Sequence, residues 1–155
     1  MYSCALWSDK EGGVDGDLLS RPGDHSTDLE MAQLRKIHYV LRKARVKRGH
    51  RILEIGSGWG GLAIEVCQNY PSWGHKVDSF SSNQAARTFG CEVDTLTLSV
   101  EQKKLAEERI REAGLEHLVR VHLMDYRQIP PDFEKKFDAF VSIEMVEVNF
   151  YGCIK

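Results

Sequence analysis

The sequence predicts an α/β protein built on a mostly parallel sheet, and three observations support this. A short apolar run at 51–55 meets a glycine-rich turn and resumes at 62–66 with helical spacing. Strand and helix patterns then alternate along the chain, which favours parallel strands joined by crossover helices. Finally, polar residues follow each predicted strand, and the carboxyl ends of parallel strands are where such sheets bind ligands.

The first predicted helix covers residues 28–45, where apolar side chains recur at intervals of three and four. Thr27 or Asp28 is placed to cap this helix, and Glu30 lies in its first turn. The preceding stretch, 8–28, is rich in Gly, Asp and Ser and shows neither helical nor strand periodicity. It is predicted to be a mobile loop.

The second half of the chain supplies the remaining strands. Residues 92–98 are predicted as a strand, followed by a helix at 101–113 that Gly114 closes. Ser99 and Gln102 have the spacing of a capping box, in which each side chain bonds the backbone N–H of the other residue. Residues 119–123 and 137–143 are predicted as two further strands.

Composition limits the class of protein. A chain of 155 residues with 42% hydrophobic content can bury one core, and its net charge of −2 gives no field for nucleic acid. Residues 35–51 hold a local excess of Arg and Lys. We interpret this cluster as the solvated face of a helix, with a contact for anionic lipid as the alternative.

Cellular context and metal binding are also constrained. The four cysteines form no C-x-x-C pair and have no zinc spacing, so reduced thiols are expected and no metal is implied. No apolar run approaches the length of a membrane span, and the N-terminus lacks a signal-peptide pattern. We expect a soluble, cytoplasmic protein, with peripheral contact at a membrane left open.

The glycine-rich turn is the strongest indication of a ligand. Gly56, Gly58, Gly60 and Gly61 permit positive φ and close approach of a ligand to the backbone. A helix starting near Gly60 or Gly61 would aim unpaired N–H groups at that ligand. Glu54 could accept hydrogen bonds from a cation or a hydroxyl. This polarity suits an amino-acid-bearing nucleoside.

Two other interpretations of the turn remain. Gly56, Gly58 and Gly61 satisfy the dinucleotide fingerprint G-x-G-x-x-G, so spacing alone leaves NAD open. What the chain lacks for NAD is an acidic residue closing the second strand, where a ribose diol would be gripped. The other interpretation is a strand-to-helix turn with no ligand.

Four polar segments are predicted to converge on one edge of the sheet. They follow the four strands and comprise 56–60, 97–102, 125–127 and the pair Glu144 and Glu147. A purely structural chain has no reason to end each strand in exposed hydrogen-bonding groups. The convergence therefore favours a ligand site more strongly than any one motif does.

Five segments in order carry a family resemblance. They are Y-S-C-A within 1–7, L-E-I-G-S-G-W-G-G-L-A at 53–63, L-T-L-S-V-E-Q at 96–102, D-Y-R at 125–127 and F-D-A-F-V-S-I-E-M-V-E at 137–147. Together they resemble the motifs of the cyclopropane fatty acid synthase and mycolic acid cyclopropane synthase family. The resemblance implies a Rossmann-like S-adenosylmethionine-dependent methyltransferase fold, incomplete here at the C-terminus.

The resemblance also implies a reaction. It is transfer of the sulfonium methyl of S-adenosylmethionine to the double bond of an unsaturated fatty acyl chain of a phospholipid, followed by proton loss that closes a cyclopropane ring. In this family a bound bicarbonate is thought to take the proton. Cys4 and Glu147 match two bicarbonate-holding positions and are the catalytic candidates, with Glu144 the weaker one. A carboxylate there could stabilise the developing carbocation.

The cofactor-binding candidates come from the turn and from matched positions. Tyr2 and Ser3 match positions near the methionine end, and Tyr126 and Arg127 match positions beside the adenine. The full set is Tyr2, Ser3, Glu54, Gly56, Gly58, Trp59, Gly60, Thr97, Leu98, Gln102, Tyr126 and Arg127.

The chain also departs from the family. We expect residues 1–28 to form a cofactor-covering segment and loop, and 29–147 a partial methyltransferase domain with an atypical insertion at 67–86. Residues 148–155 form a non-family tail. We hypothesise that the insertion and the tail are translated introns, since Val66 and Val148 have codons beginning GT. The alternatives to an acyl-lipid enzyme are a non-catalytic cofactor-binding remnant and a methyltransferase for a small or sterol-like acceptor.

Overall fold

The computed structural model describes residues 4–7, 26–67 and 90–143. The chain divides into two compact units, residues 1–43 and 44–155. The predictions for Tyr2 and Ser3, for positions 8–25 of the 8–28 loop, for most of the 67–86 insertion and for 144–155 lie outside the described residues. The last three residues of that predicted loop, 26–28, are helical instead. Within the described part, no helix combines the length and apolar character needed to cross a membrane.

The first unit contains helix α1 (Ser26–Lys43), which confirms the predicted helix to within two residues at each end. It begins at Ser26, so Thr27 and Asp28 lie inside its first turn and the prediction that one of them caps it was wrong. The apolar stripe buries Ala32, Ile37 and Leu41. Residues 4–7 run beside this helix, where Leu6 N donates to Ala32 O at 3.1 Å.

The second unit is a four-stranded parallel sheet, as predicted. It contains β1 (Arg51–Ile55), α2 (Gly61–Cys67), β2 (Glu92–Thr97), α3 (Val100–Glu112), β3 (Val119–Leu123) and β4 (Ala139–Ser142). The strand order is β3-β2-β1-β4. All three strand pairs are parallel, which places the carboxyl ends of the strands along one edge.

The two faces of the sheet differ because side chains alternate along each strand. One face carries Ile52, Val93, Val121 and Val141, all buried, and helices α2 and α3 pack against β2 and β3. Gly60 illustrates how close the packing is, since a Cβ there would lie 3.2 Å from Ala106 Cβ in α3. This layer fixes the turn after β1 relative to α3.

The other face is organised around a buried carboxylate that sequence analysis missed. Asp94 is 1% exposed and accepts hydrogen bonds from Arg51 Nη2 at 2.9 Å and Arg120 Nη1 at 3.4 Å. His122 Nε2 lies 2.8 Å from the other Asp94 oxygen. Burying a carboxylate this completely costs desolvation free energy, which only ion pairs and hydrogen bonds can offset. Asp94 therefore joins the three neighbouring strands β1, β2 and β3 on one face.

Three local predictions need correction. Ser99 does cap α3, since its Oγ accepts from Gln102 N at 3.1 Å, but the reciprocal half of the capping box is absent. Ser99 N instead donates to Thr97 Oγ1, whose hydroxyl donates to Gln102 Oε1 at 2.8 Å. The 3₁₀ turns Tyr126–Gln128 and Pro131–Phe133 were not predicted. The fourth strand begins at Ala139, two residues later than expected.

Removing the charge of Asp94 should destabilise the second unit. In Asp94→Asn the carboxylate that Arg51, Arg120 and His122 share is lost, and we expect the free energy of unfolding to fall by about 3 kcal/mol. Urea unfolding followed by circular dichroism measures this. The control is Glu92→Gln, which removes a half-exposed carboxylate paired with Arg120 at 3.0 Å; a loss under about 1 kcal/mol is expected. Equal losses in both variants would contradict the role given to Asp94.

Candidate functional site

The turn after β1 is held open by positive-φ glycines. Gly56, Gly58 and Gly60 have φ of 92°, 49° and 81°, a region where side-chain-bearing residues are strained. The backbone N–H groups of Gly56 and Ser57 both donate to Leu96 O at 3.0 Å, and Gly60 N donates to Ser57 O at 2.9 Å. The turn is therefore fastened to the end of β2 before α2 begins at Gly61.

The glycines of the turn serve different purposes. Gly60 is needed for packing, because a side chain there would press on Ala106. At Gly58, by contrast, no heavy atom of the described residues, chain neighbours aside, lies within 4 Å of the position that a Cβ would take. The backbone at Gly58 thus borders open space at the carboxyl edge of the sheet, which is the place for a ligand to approach.

Glu54 is a buried carboxyl group one residue before the end of β1. It is 5% exposed, and neither its Oε2 nor Thr95 Oγ1, on the neighbouring strand, has a hydrogen-bond partner among the described residues. Burial raises the pKa of Glu54 to about 7, and the nearby Thr95 hydroxyl lowers it by a smaller amount. Glu54 is therefore poised to change protonation near neutral pH.

The end of β2 places polar and apolar groups side by side. Thr97 and Gln102 are tied by their side-chain hydrogen bond, which joins the end of β2 to the first turn of α3. Leu98, between them in the chain, leaves its side chain 73% exposed. An apolar side chain with that much exposed surface, next to an ordered polar pair, is suited to covering a ring system.

The end of β3 lies beside the end of β2, since Met124 N donates to Thr97 O at 3.1 Å. Asp125 follows and caps the 3₁₀ turn by accepting from Arg127 N at 2.9 Å. Arg127 Nε also donates to both Asp125 oxygens at 3.0 Å, and these contacts lower the Asp125 pKa to about 2. Asp125 is thus ionised and holds Arg127 in place, while Tyr126 stays partly exposed.

The structure brings ten of the predicted site residues into one unit. Glu54, Gly56, Gly58, Trp59 and Gly60 belong to β1 and its turn; Thr97, Leu98 and Gln102 to the β2–α3 junction; Tyr126 and Arg127 to the turn after β3. The hydrogen bonds to Leu96 O and Thr97 O link the three segments in a row. Cys4 is exposed and belongs to the other unit. Tyr2, Ser3, Glu144 and Glu147 lie outside the described residues.

Sequence analysis missed two residues that shape this edge. Asp125 was noticed only as part of the D-Y-R segment, although an Asp two residues before an Arg at a strand end is a recognisable capping signal. Arg109 of α3 donates from Nη1 to Trp59 O at 3.3 Å, a second connection between α3 and the turn. No local pattern predicts this contact, because the two residues are 50 positions apart.

Comparison with known proteins places this edge in a family context. The family described as mycolic acid cyclopropane synthetase matches residues 1–84 and 72–151. The tuberculostearic acid methyltransferase UfaA1 of Mycobacterium tuberculosis is 38% identical over 150 residues, which is 97% of this chain and 28% of that protein. The cyclopropane-fatty-acyl-phospholipid synthase of Escherichia coli K12 is 34% identical over 146 residues, 94% of this chain and 27% of that enzyme. The chain thus spans little more than a quarter of the length of these relatives.

Solved structures agree on the fold. The cyclopropane synthase MmaA2 from Mycobacterium tuberculosis superposes with a TM-score of 0.58 at 25% identity, covering 92% of this chain and 37% of that one. The mycolic acid cyclopropane synthase CmaA1, in complex with SAH and CTAB, gives 0.61 at 24% identity, with 95% and 38% covered. The fold is therefore the Rossmann-like fold of S-adenosylmethionine-dependent methyltransferases. Because the family match also extends over most of the residues, the chain belongs to the mycolic acid cyclopropane synthase family.

Proposed function

We propose that this chain carries the cofactor-binding part of an S-adenosylmethionine-dependent methyltransferase. The proposed substrate is the double bond of an unsaturated fatty acyl chain of a phospholipid, and the proposed product is a cyclopropane ring. One observation carries the cofactor part of this proposal. The glycine turn is fastened to β2 through Leu96 O, yet the backbone at Gly58 borders open space. A rigid turn with an accessible backbone is what close binding of a nucleoside ligand requires.

The residues present fit S-adenosylmethionine. When bound, that cofactor supplies an electrophilic methyl group on a sulfonium centre. Glu54 Oε2 has no hydrogen-bond partner among the residues that the structure describes, and the ionised form of Glu54 would complement a cationic ligand. Leu98 and Tyr126 offer apolar surface suited to an adenine ring, next to the hydrogen-bonding groups of Thr97 and Gln102. The proposed site thus offers negative charge at one end and apolar cover at the other.

The residues proposed for the chemical step are taken from the family resemblance. Cys4 and Glu147 are proposed to hold bicarbonate, which would accept the proton lost when the ring closes. A carboxylate at Glu147 would also stabilise positive charge developing on the acyl chain. An acyl chain of this kind resides in a bilayer, so the protein is further proposed to make peripheral contact with a membrane.

A second candidate is methylation of the acyl chain without ring closure. The relative UfaA1, at 38% identity, is named a tuberculostearic acid methyltransferase, whereas the Escherichia coli synthase is 34% identical. The two identities do not separate the reactions, and both proteins are about four times as long as the matched region. The acceptor could also be smaller, since a coclaurine N-methyltransferase of Papaver somniferum is 27% identical over 124 residues. A non-catalytic cofactor-binding remnant is the remaining alternative.

Two measurements on the 155-residue chain separate these possibilities. Isothermal titration with S-adenosylmethionine tests the cofactor site. Incubation with labelled cofactor and vesicles of unsaturated phospholipid, followed by gas chromatography and mass spectrometry of the fatty acid esters, tests the reaction and distinguishes a cyclopropane from a methyl branch. We expect binding and a cyclopropane ester. Binding without any lipid product would favour the remnant, and absence of binding by folded protein would refute the proposal.

Replacing Gly58 by Ala should weaken cofactor binding more than it weakens the fold. Gly114→Ala is the matched control, since Gly114 also has positive φ, at 69°, and its Cβ position also has no atom of the described part of the chain within 4 Å. Both variants should lose about 1 kcal/mol of unfolding free energy through backbone strain. Only Gly58→Ala places a methyl group at the proposed site, and we expect about tenfold weaker binding of S-adenosylmethionine by titration calorimetry. Equal affinities of the two variants would remove Gly58 from the site.

Glu54 should make stability fall as pH rises through neutrality. Its pKa is about 7 in the folded chain against 4.5 for the unfolded group, so between these values the unfolded chain has lost a proton that the folded chain keeps. Raising the pH across this interval therefore favours unfolding, by at most about 3 kcal/mol. Glu54→Gln stays neutral and should remove this slope, whereas Glu108→Gln, at an exposed position of α3, should keep it. Urea unfolding across the interval checks this, and an unchanged slope in Glu54→Gln would contradict it.

A further inference from the structure

The segment 4–7 is attached to helix α1 through both polar backbone groups of one residue, Leu6. Leu6 N donates to Ala32 O at 3.1 Å, and Leu6 O accepts from Arg35 Nη1 at 2.6 Å. Ala32 and Arg35 lie three positions apart in α1, which places them on the same side of the helix. Two bonds at one residue therefore fix where the segment lies on the helix and which way its backbone faces.

Ala32 and Arg35 suit this attachment in different ways. Ala32 is fully buried and its side chain is a single methyl group, so the backbone of the segment can approach the helix closely. Its carbonyl oxygen has two lone pairs and can accept a bond from outside the helix as well as one within it. Arg35 is half-buried and carries a permanent charge, so the bond that it donates is stronger than a bond between neutral groups.

The side chains of the segment are not buried enough to hold it by apolar contact alone. Leu6 is 38% exposed, Cys4 is exposed, and Ala5 and Trp7 are only partly buried. A short segment outside helices and strands is ordered only if its contacts offset the backbone entropy that it loses. The two bonds at Leu6, and above all the charged one from Arg35, are an important part of what offsets this cost.

We propose that Arg35 is a positioning residue, whose guanidinium holds the Leu6 carbonyl and so fixes on α1 the segment that carries Cys4. The inference rests on the proposed function, in which Cys4 holds bicarbonate, and on the cofactor-binding prediction for Tyr2 and Ser3. A shift of the backbone at Leu6 would displace these three residues, because they lie two to four positions before it in the chain. Sequence analysis counted Arg35 in a cationic stretch interpreted as a solvated helix face, whereas the structure gives it a backbone partner.

Hydrogen exchange of the Leu6 amide, measured by NMR on the 155-residue chain, tests the attachment. Arg35→Met keeps a long apolar side chain but removes every donor, and we expect exchange about tenfold faster than in the parent, as for the loss of one charge-assisted hydrogen bond. Arg42→Met is the matched control, since it removes the same charge from an exposed position of the same helix and should leave this exchange rate unchanged. Arg35→Lys keeps a charged donor and should restore part of the protection.

Titration with S-adenosylmethionine separates positioning from stability. Arg35→Met should bind the cofactor about tenfold more weakly than the parent. Arg42→Met should bind it as the parent does, and Arg35→Lys should fall between the two. Urea unfolding of the same variants measures their stability. A role confined to the stability of α1 would change the free energy of unfolding without changing the affinity of the folded chain for the cofactor.

Three results would overturn the proposal. They are an unprotected Leu6 amide in the folded parent, equal exchange rates in Arg35→Met and Arg42→Met, and an unchanged cofactor affinity in Arg35→Met when the parent binds the cofactor. Failure of the proposed function would look different. A folded parent that binds no S-adenosylmethionine, with Leu6 exchange still faster in Arg35→Met, would refute the cofactor site and retain the attachment by Arg35.

Discussion

The carboxyl edge of the sheet depends on one carbonyl group, that of Leu96. It accepts from both Gly56 N and Ser57 N, so the end of β2 carries the turn that follows β1. A turn with three positive-φ glycines would otherwise sample many conformations, because glycine has the largest backbone entropy to lose. The hydrogen bonds to Leu96 O and from Arg109 to Trp59 O hold this turn in one conformation. Its backbone at Gly58 still borders open space among the described residues.

Two buried carboxyl groups on neighbouring strands, Asp94 and Glu54, have different surroundings. Asp94 faces one side of the sheet and is paired with Arg51, Arg120 and His122. Glu54 faces the other side and has no charged partner there among the described residues, so its pKa rises to about 7. Its ion pairs make Asp94 a structural group. By contrast, a buried carboxyl with an unsatisfied oxygen lowers the stability of the fold unless a ligand supplies the missing hydrogen bond. Glu54 lies two residues before Gly56, next to the proposed ligand site.

The fold was largely predictable because its signals are local. The 51–67 strand, turn and helix, the Ser99 cap and Gly114 at the end of α3 each depend on neighbours in the chain. What was not predicted is non-local. Sequence analysis gave Asp94 no role, because its partners lie on the neighbouring strands β1 and β3. Gln102 does not complete the capping box because it accepts a hydrogen bond from Thr97, a residue outside that motif. Of the site, the three strand-end segments could be placed from topology, while the protonation of Glu54 required knowledge of its burial.

The positions of the proposed site residues along the chain bear on specificity for the methyl acceptor. The described residues that we propose for cofactor binding come from β1 and its turn, the β2–α3 junction and the turn after β3, all within residues 54–127. In the proposed site, backbone groups, glycines and a buried carboxyl would bind the cofactor, and such groups carry little information about the acceptor. Relatives with different acceptors accordingly match this region, including an acyl-phospholipid synthase and a coclaurine N-methyltransferase.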